Sequence, residues 1–160
     1  FGESNSLRVN KNNMSKGKYM NKNLISYSNW PTTIQAMHDQ FQVNNWTMNV
    51  GQDKLKELMK LRMRMLSEEF NETMQAYLQG DEEEFVDGLI DLCVIAIGTL
   101  DIADVDANKA WKEVMKANMS KEVGVKPGRP NKLGLPDLIK PSNWEGPDHS
   151  RNTGKLKDYI

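Results

Sequence analysis

The chain is poor in the residues that usually build covalent or soft-metal chemistry. It has one cysteine and two histidines in 160 residues. A disulfide framework is therefore excluded, and a cysteine–histidine zinc site is unsupported. The lone Cys93 sits in the apolar run "LIDLCVIAIGTL" and reads as an inert, packed thiol. No excess of either charge exists, with 21 basic against 22 acidic residues, so no overall field draws the protein to nucleic acid or to an anionic membrane. The longest apolar run is interrupted by Asp91 and is too short to cross a bilayer. Without disulfides or a signal-peptide pattern, the expectation is a protein of the reducing cytoplasm.

Proline is nearly absent before residue 122 and abundant after it, where five of the six lie. This asymmetry divides the chain. Residues 1–29 are rich in Asn, Ser and Lys, lack an apolar period, and read as a disordered tail. Residues 30–121 carry helical periodicity and form the expected domain. Residues 122–160, rich in Pro and Gly, read as an extended arm or lid, with a basic loop at Lys121, Lys126, Arg129 and Lys132.

Within the domain the spacing predicts four helices and no strand. The first is capped by Thr32 or Thr33 and runs to about Val43, with Ile34, Met37, His38 and Phe41 recurring at helical spacing. A polar connector, "NNWTMNVGQ", follows. The second spans Asp53 to about Leu78, with Leu55, Leu58, Met59, Met63, Leu66, Phe70, Met74 and Tyr77 as its core stripe. Gly80 ends it, Asp81 caps a third helix reaching about Thr99, and a short turn between them makes an antiparallel hairpin. A fourth runs from Asp106 to about Asn118, turning Ala110, Trp111, Val114 and Met115 inward.

What the chain does have is carboxylates on that hairpin. In "SEEFNETMQAYLQGDEEEFVDGLID", Glu68, Glu69 and Glu72 share one side of the second helix, and Glu84, Asp87 and Asp91 recur three and four apart on the third. Asp81, Glu82 and Glu83 are accounted for by helix-start chemistry and solubility. Asp91 is not, because its neighbours Leu89, Ile90, Leu92 and Cys93 offer it no solvent face. An unpaired buried carboxylate among like charges is costly unless it is neutralised. A hard divalent cation would do so, and an all-oxygen donor set suits Mg²⁺ or Mn²⁺. A di-iron bundle would need Glu-x-x-His, a calcium loop its glycine and terminal glutamate, and a P-loop or Rossmann turn its glycines; all are missing.

The pair "EEFNE" and "EEFVD" resembles the EExxE and ExxD motifs of the MazG-like all-α nucleoside triphosphate pyrophosphohydrolases. The following "GLIDLCVIAIGTL" and "KANMSK" are similar to the phosphoribosyl-ATP pyrophosphohydrolase-like branch of phages and bacteria. The resemblance implies a four-helix MazG-like bundle and Mg²⁺-dependent cleavage of a (d)NTP to (d)NMP and pyrophosphate. It implies Glu69, Glu72, Glu84, Asp87 and Asp91 as metal ligands, with Glu68 and Glu69 as catalytic carboxylates. Lys116, Asn118, Ser120 and Lys121 fall where the family contacts phosphates or sugar, and a homodimer or homotetramer is implied.

His38 and Phe41 are candidates for contact with the base, and Trp144 in the tail for closure over the nucleotide. Alternatives are phosphoribosyl-ATP or an alarmone as substrate, or a non-catalytic helical protein that uses the acidic face for a basic partner.

Overall fold

The computed structural model describes residues 27–126, 128 and 131–160. The expected tail lies almost wholly outside them, as does Arg129 of the basic loop. The elements in order are α1 (Trp30–Gln40), α2 (Val43–Asn49), α3 (Gln52–Gln79), α4 (Glu82–Ile102), α5 (Ala107–Met119), β1 (Glu122–Gly124), β2 (Asp137–Ile139) and a final 3₁₀ turn, Leu156–Asp158. Among the described residues no helix is long and apolar enough to cross a membrane.

The helix ends follow local chemistry, with two departures from expectation. The α1 cap is Asn29, whose side chain accepts from the Thr32 amide, and Pro31 occupies the first turn, where its missing N–H costs nothing. Thr32 and Thr33 are thus inside the helix. The connector "NNWTMN" folds as α2, entered through Gln42 in the left-handed region at φ 61°. Asp81 and Asp106 cap α4 and α5 as expected, accepting from the Glu84 and Lys109 amides. Gly80 closes α3 at φ 72°, a conformation glycine adopts without a Cβ penalty.

The architecture is built on the α3–α4 hairpin, with α1 laid across α4. Three contacts fix its register. The Tyr77 and Phe85 rings stand 6.2 Å apart. A Cβ on Gly88 would run into the Thr73 hydroxyl. Farther along, Arg62 Nη2 donates to the Ile95 carbonyl at 2.7 Å and Nε to Thr99 Oγ1 at 3.1 Å.

The seam is therefore small or polar rather than aliphatic. Of the expected core stripe Met59 is buried and Leu55, Leu58 and Leu66 are partly covered, whereas Met63, Phe70, Met74 and Tyr77 face solvent. Val86 and Leu89 on α4, and Trp111 and Val114 on α5, are likewise exposed. A helical period says that a stripe is apolar, and cannot say whether the same chain covers it.

The arm also departs from expectation. It contains strands, β1 and β2 pairing antiparallel with Glu122 opposite Ile139. Its end is part of the core: Tyr159 is buried beside Met59, Ile102, Ala103 and Val105, and its hydroxyl donates to the Ile102 carbonyl. Asn152 braces the same corner, its amide bonding the Asp106 carbonyl at 2.8 Å and its Oδ1 accepting from the Asp106 N–H at 3.0 Å. The Lys155 amide reaches the Ala103 carbonyl at 2.7 Å.

Candidate active site

Because the register is fixed, the heights of the acids follow. Glu69 lies four residues before Thr73 on α3, and Asp91 three after Gly88 on antiparallel α4, so the two stand nearly level across the seam. At 100° per residue, Asp87 and Asp91 leave α4 on the same side of the seam on which Glu68 and Glu72 leave α3. Met63, Phe70 and Met74 point to the opposite side. The hairpin thus has an acidic face and an apolar face.

The electrostatics agree. The Glu69 carboxyl, partly buried, is held above the usual carboxylate range first by burial and then by the charges of Asp91, Glu72, Asp87 and Glu68. Four of the expected acids therefore crowd one carboxylate. Glu84 is not among them. It sits near the level of Tyr77, two helical turns or about 12 Å along the axis from Glu69. Asp91 is partly exposed rather than sealed in an apolar helix.

The donor set is all carboxylate oxygen, the chemistry of a hard divalent cation. Among the described residues no three of these acids, or of any His, Cys, Asp and Glu, stand close enough to form a ready-made cage. Such an open cluster fits a cation that keeps several of its waters and takes one or two carboxylates plus phosphate oxygens.

The remaining expected residues fall in two other places. His38 is buried on α1, with Nδ1 2.6 Å from Asp101 Oδ2 on α4. Phe41, after the end of α1, is exposed. Lys116, Asn118, Ser120 and Lys121 cluster at the C-terminal end of α5, a helix in only slight contact with α4. There Lys121 Nζ donates to Asn118 Oδ1 at 2.7 Å, and the Ser120 hydroxyl to the Ala117 carbonyl at 2.9 Å. Among the described residues no ion pair joins Lys116 or Lys121 to the acidic cluster.

Two side chains were overlooked in the sequence. Arg62 lies half-buried in the seam with Nη2 and the His38 ring both close over Gly98, where a Cβ would stand 2.5 Å from Nη2 and 3.1 Å from His38 Nε2. Asp101 orients His38. The signal available was a cation at a seam position, in heptad spacing with Met59, Glu69 and Thr73. Trp144 is no free lid: its indole N–H donates to the Ala117 carbonyl at 2.7 Å, pinning the arm to the end of α5.

Compared with known families, residues 34–118 match the model described as phosphoribosyl-ATP pyrophosphohydrolase. No curated protein matches the chain.

Proposed function

Since the chain belongs to the phosphoribosyl-ATP pyrophosphohydrolase family, within the MazG-like superfamily, and so is a hydrolase acting on phosphoric anhydrides, we propose that it cleaves (d)NTPs to (d)NMP and pyrophosphate with Mg²⁺. The observation that carries this reading is the register of the hairpin, which sets Asp91 level with Glu69 and puts Glu68, Glu72 and Asp87 on the same side of the seam. The mutual repulsion of acids so placed is tolerable where a cation and an anionic substrate meet.

Glu69, Glu72, Asp87 and Asp91 would hold the metal, Mn²⁺ being a possible substitute, and when bound it would draw charge from the phosphates being parted. The register favours Asp91 over Glu84 as the second acid of the α4 half. Glu68, at the exposed edge of the cluster, orients a water toward the α-phosphorus and, together with Glu69, takes up the proton that water loses. A new P–O bond forms at the α-phosphorus as the bond to the bridging oxygen breaks, and the β- and γ-phosphates depart together as pyrophosphate. Lys116, Asn118, Ser120 and Lys121 contact phosphates or sugar, and Phe41, exposed after α1, serves the base end beside His38, which is itself buried between Asp101 and Gly98.

The exposed apolar face of the hairpin supports a homodimer or homotetramer, because contiguous patches of this kind on soluble proteins mark interaction surfaces. Light scattering on the eluting protein should give a multiple of 18.3 kDa; a monomer at micromolar concentration contradicts it.

A second reading takes its warrant from the family description, which names phosphoribosyl-ATP. One assay separates the two: pyrophosphate release from each (d)NTP and from phosphoribosyl-ATP, with Mg²⁺. Activity on some (d)NTP that is lost in Glu69→Gln and Asp91→Asn supports the first reading. Inertness toward every (d)NTP, or full activity in both variants, defeats it.

A further inference from the structure

The strand register of the arm has a consequence at its open end. With Glu122 opposite Ile139, one further step of the antiparallel ladder sets Lys121 opposite Lys140. Like charges directly across a strand pair are destabilising. The ladder shows the ordinary remedy at its other end, where Lys126 Nζ is 3.3 Å from Asp137 Oδ1. Lys121 and Lys140 have no carboxylate within ion-pair distance among the described residues. Instead both lie against one indole, Lys140 Nζ 4.2 Å and Lys121 Nζ 5.9 Å from the Trp144 ring centroid. That ring is in turn fixed by its N–H bond to the Ala117 carbonyl, which also receives the Ser120 hydroxyl. Two ammonium groups thus share one indole near the end of α5, and neither that ring nor the Asn118 amide oxygen that accepts from Lys121 can neutralise them.

We propose that Lys121 and Lys140 form a two-lysine clamp for the pyrophosphate half of the nucleotide, with Trp144 as the positioning residue that holds it. Lys140 and Trp144 lie beyond the part of the chain that matches the family, so the clamp belongs to the arm. The idea rests on the reading that the α5 end contacts phosphates. A phosphoanhydride spans two cations and satisfies both at once, which a single carboxylate from the chain would not.

Inorganic pyrophosphate binding, followed by calorimetry on the full-length protein, tests the clamp without turnover. Lys140→Ala, at an exposed site where folding is not at stake, should weaken pyrophosphate about tenfold, flatten the salt dependence, and raise KM while kcat holds. Lys140→Arg should restore affinity. Trp144→Leu should reproduce the Lys140→Ala loss, and Trp144→Phe, which keeps a ring beneath the lysines, should recover part of it; a purely structural indole would lower the melting temperature and leave the salt dependence alone.

Unchanged pyrophosphate affinity in Lys140→Ala overturns the clamp, and if Lys121→Ala still raises KM, the phosphate role of the α5 end survives it. If Lys121→Ala is also silent, that role falls as well. Conversely, a pyrophosphate site lost in Lys140→Ala, on a wild type inert to every (d)NTP, upholds the clamp and removes the proposed substrate.

Discussion

Replacing Glu69 by Gln should make the metal-free protein more stable while destroying its activity. Glu69 is partly buried and has four carboxylates near it, and its raised proton affinity means that the folded state resists its ionisation. For a carboxylate shifted upward the sign is fixed: the stability it contributes is full below its unfolded value near 4.3, and is lost as pH rises through the folded value. Wild type in chelator should therefore lose stability as pH rises from below that unfolded value through the raised folded one, as far as this group is concerned, and the variant should lack that component.

A solvent-screened like-charge pair, whether between turns of one helix or across the seam, is worth a few tenths of a kcal/mol, so the four carboxylates together come to about 1 kcal/mol. For a chain of this size that is about 2–4 °C in melting temperature. At about 1 M salt, where screening acts over roughly 3 Å, the part of the gain that comes from charge should vanish, leaving the part that comes from burial. Saturating Mg²⁺ should invert the order, because a ligand at a hundred times its dissociation constant adds about 2.7 kcal/mol to whichever protein binds it. Differential scanning fluorimetry at two salts, with and without Mg²⁺, reads all of these. A variant that melts below wild type in chelator, or a difference indifferent to Mg²⁺, would refute the claim that these acids crowd one cation site.

Four further outcomes follow from the packing and the helix register. Gly98→Ala sets a methyl group against Arg62 Nη2, held by two hydrogen bonds, and against the His38 ring; it should cost about 1–3 kcal/mol in urea denaturation, and a stabilisation would show that the contact is loose. Tyr159→Phe leaves the carbonyl of Ile102 without its buried donor and should lose about 1–2 kcal/mol by the same measurement, whereas an arm that is not docked would register nothing. Asp81→Ala removes the α4 cap and should cost about 1 kcal/mol; a matching Glu84→Gln variant should keep most of its activity, since Glu84 stands two turns from Glu69, and a loss as deep as that of Asp91→Asn would return it to the metal site.

Much of the helical scaffold was legible because its signals are local. Asp81 and Asp106 as caps, Gly80 as a terminator, and a continuous apolar period through α3 and α4 need no knowledge of the rest of the chain. The acidic motif was legible for the same reason, since side chains three and four apart must share a helix side. The α2 helix escaped because "NNWTMN" has neither a side-chain cap nor a strong apolar period, and it is entered through a left-handed Gln42. The two strands escaped because three residues each, in a Pro-rich segment, carry no alternation long enough to read.

By itself, then, the sequence determined four of the five α-helices, the family, and the presence of six acids on one hairpin, all set by spacing along a single chain. Only the tertiary structure decided which of those acids meet. The contacts Tyr77–Phe85, Thr73–Gly88 and Arg62–Ile95 fix how far the two helices slide past each other, and that offset sets Asp91, rather than Glu84, beside Glu69. Tertiary structure also decided that the Met63–Phe70–Met74 stripe stays uncovered, and that the segment read as an extended arm or lid brings Tyr159 into the core, because burial depends on what arrives from elsewhere in the chain.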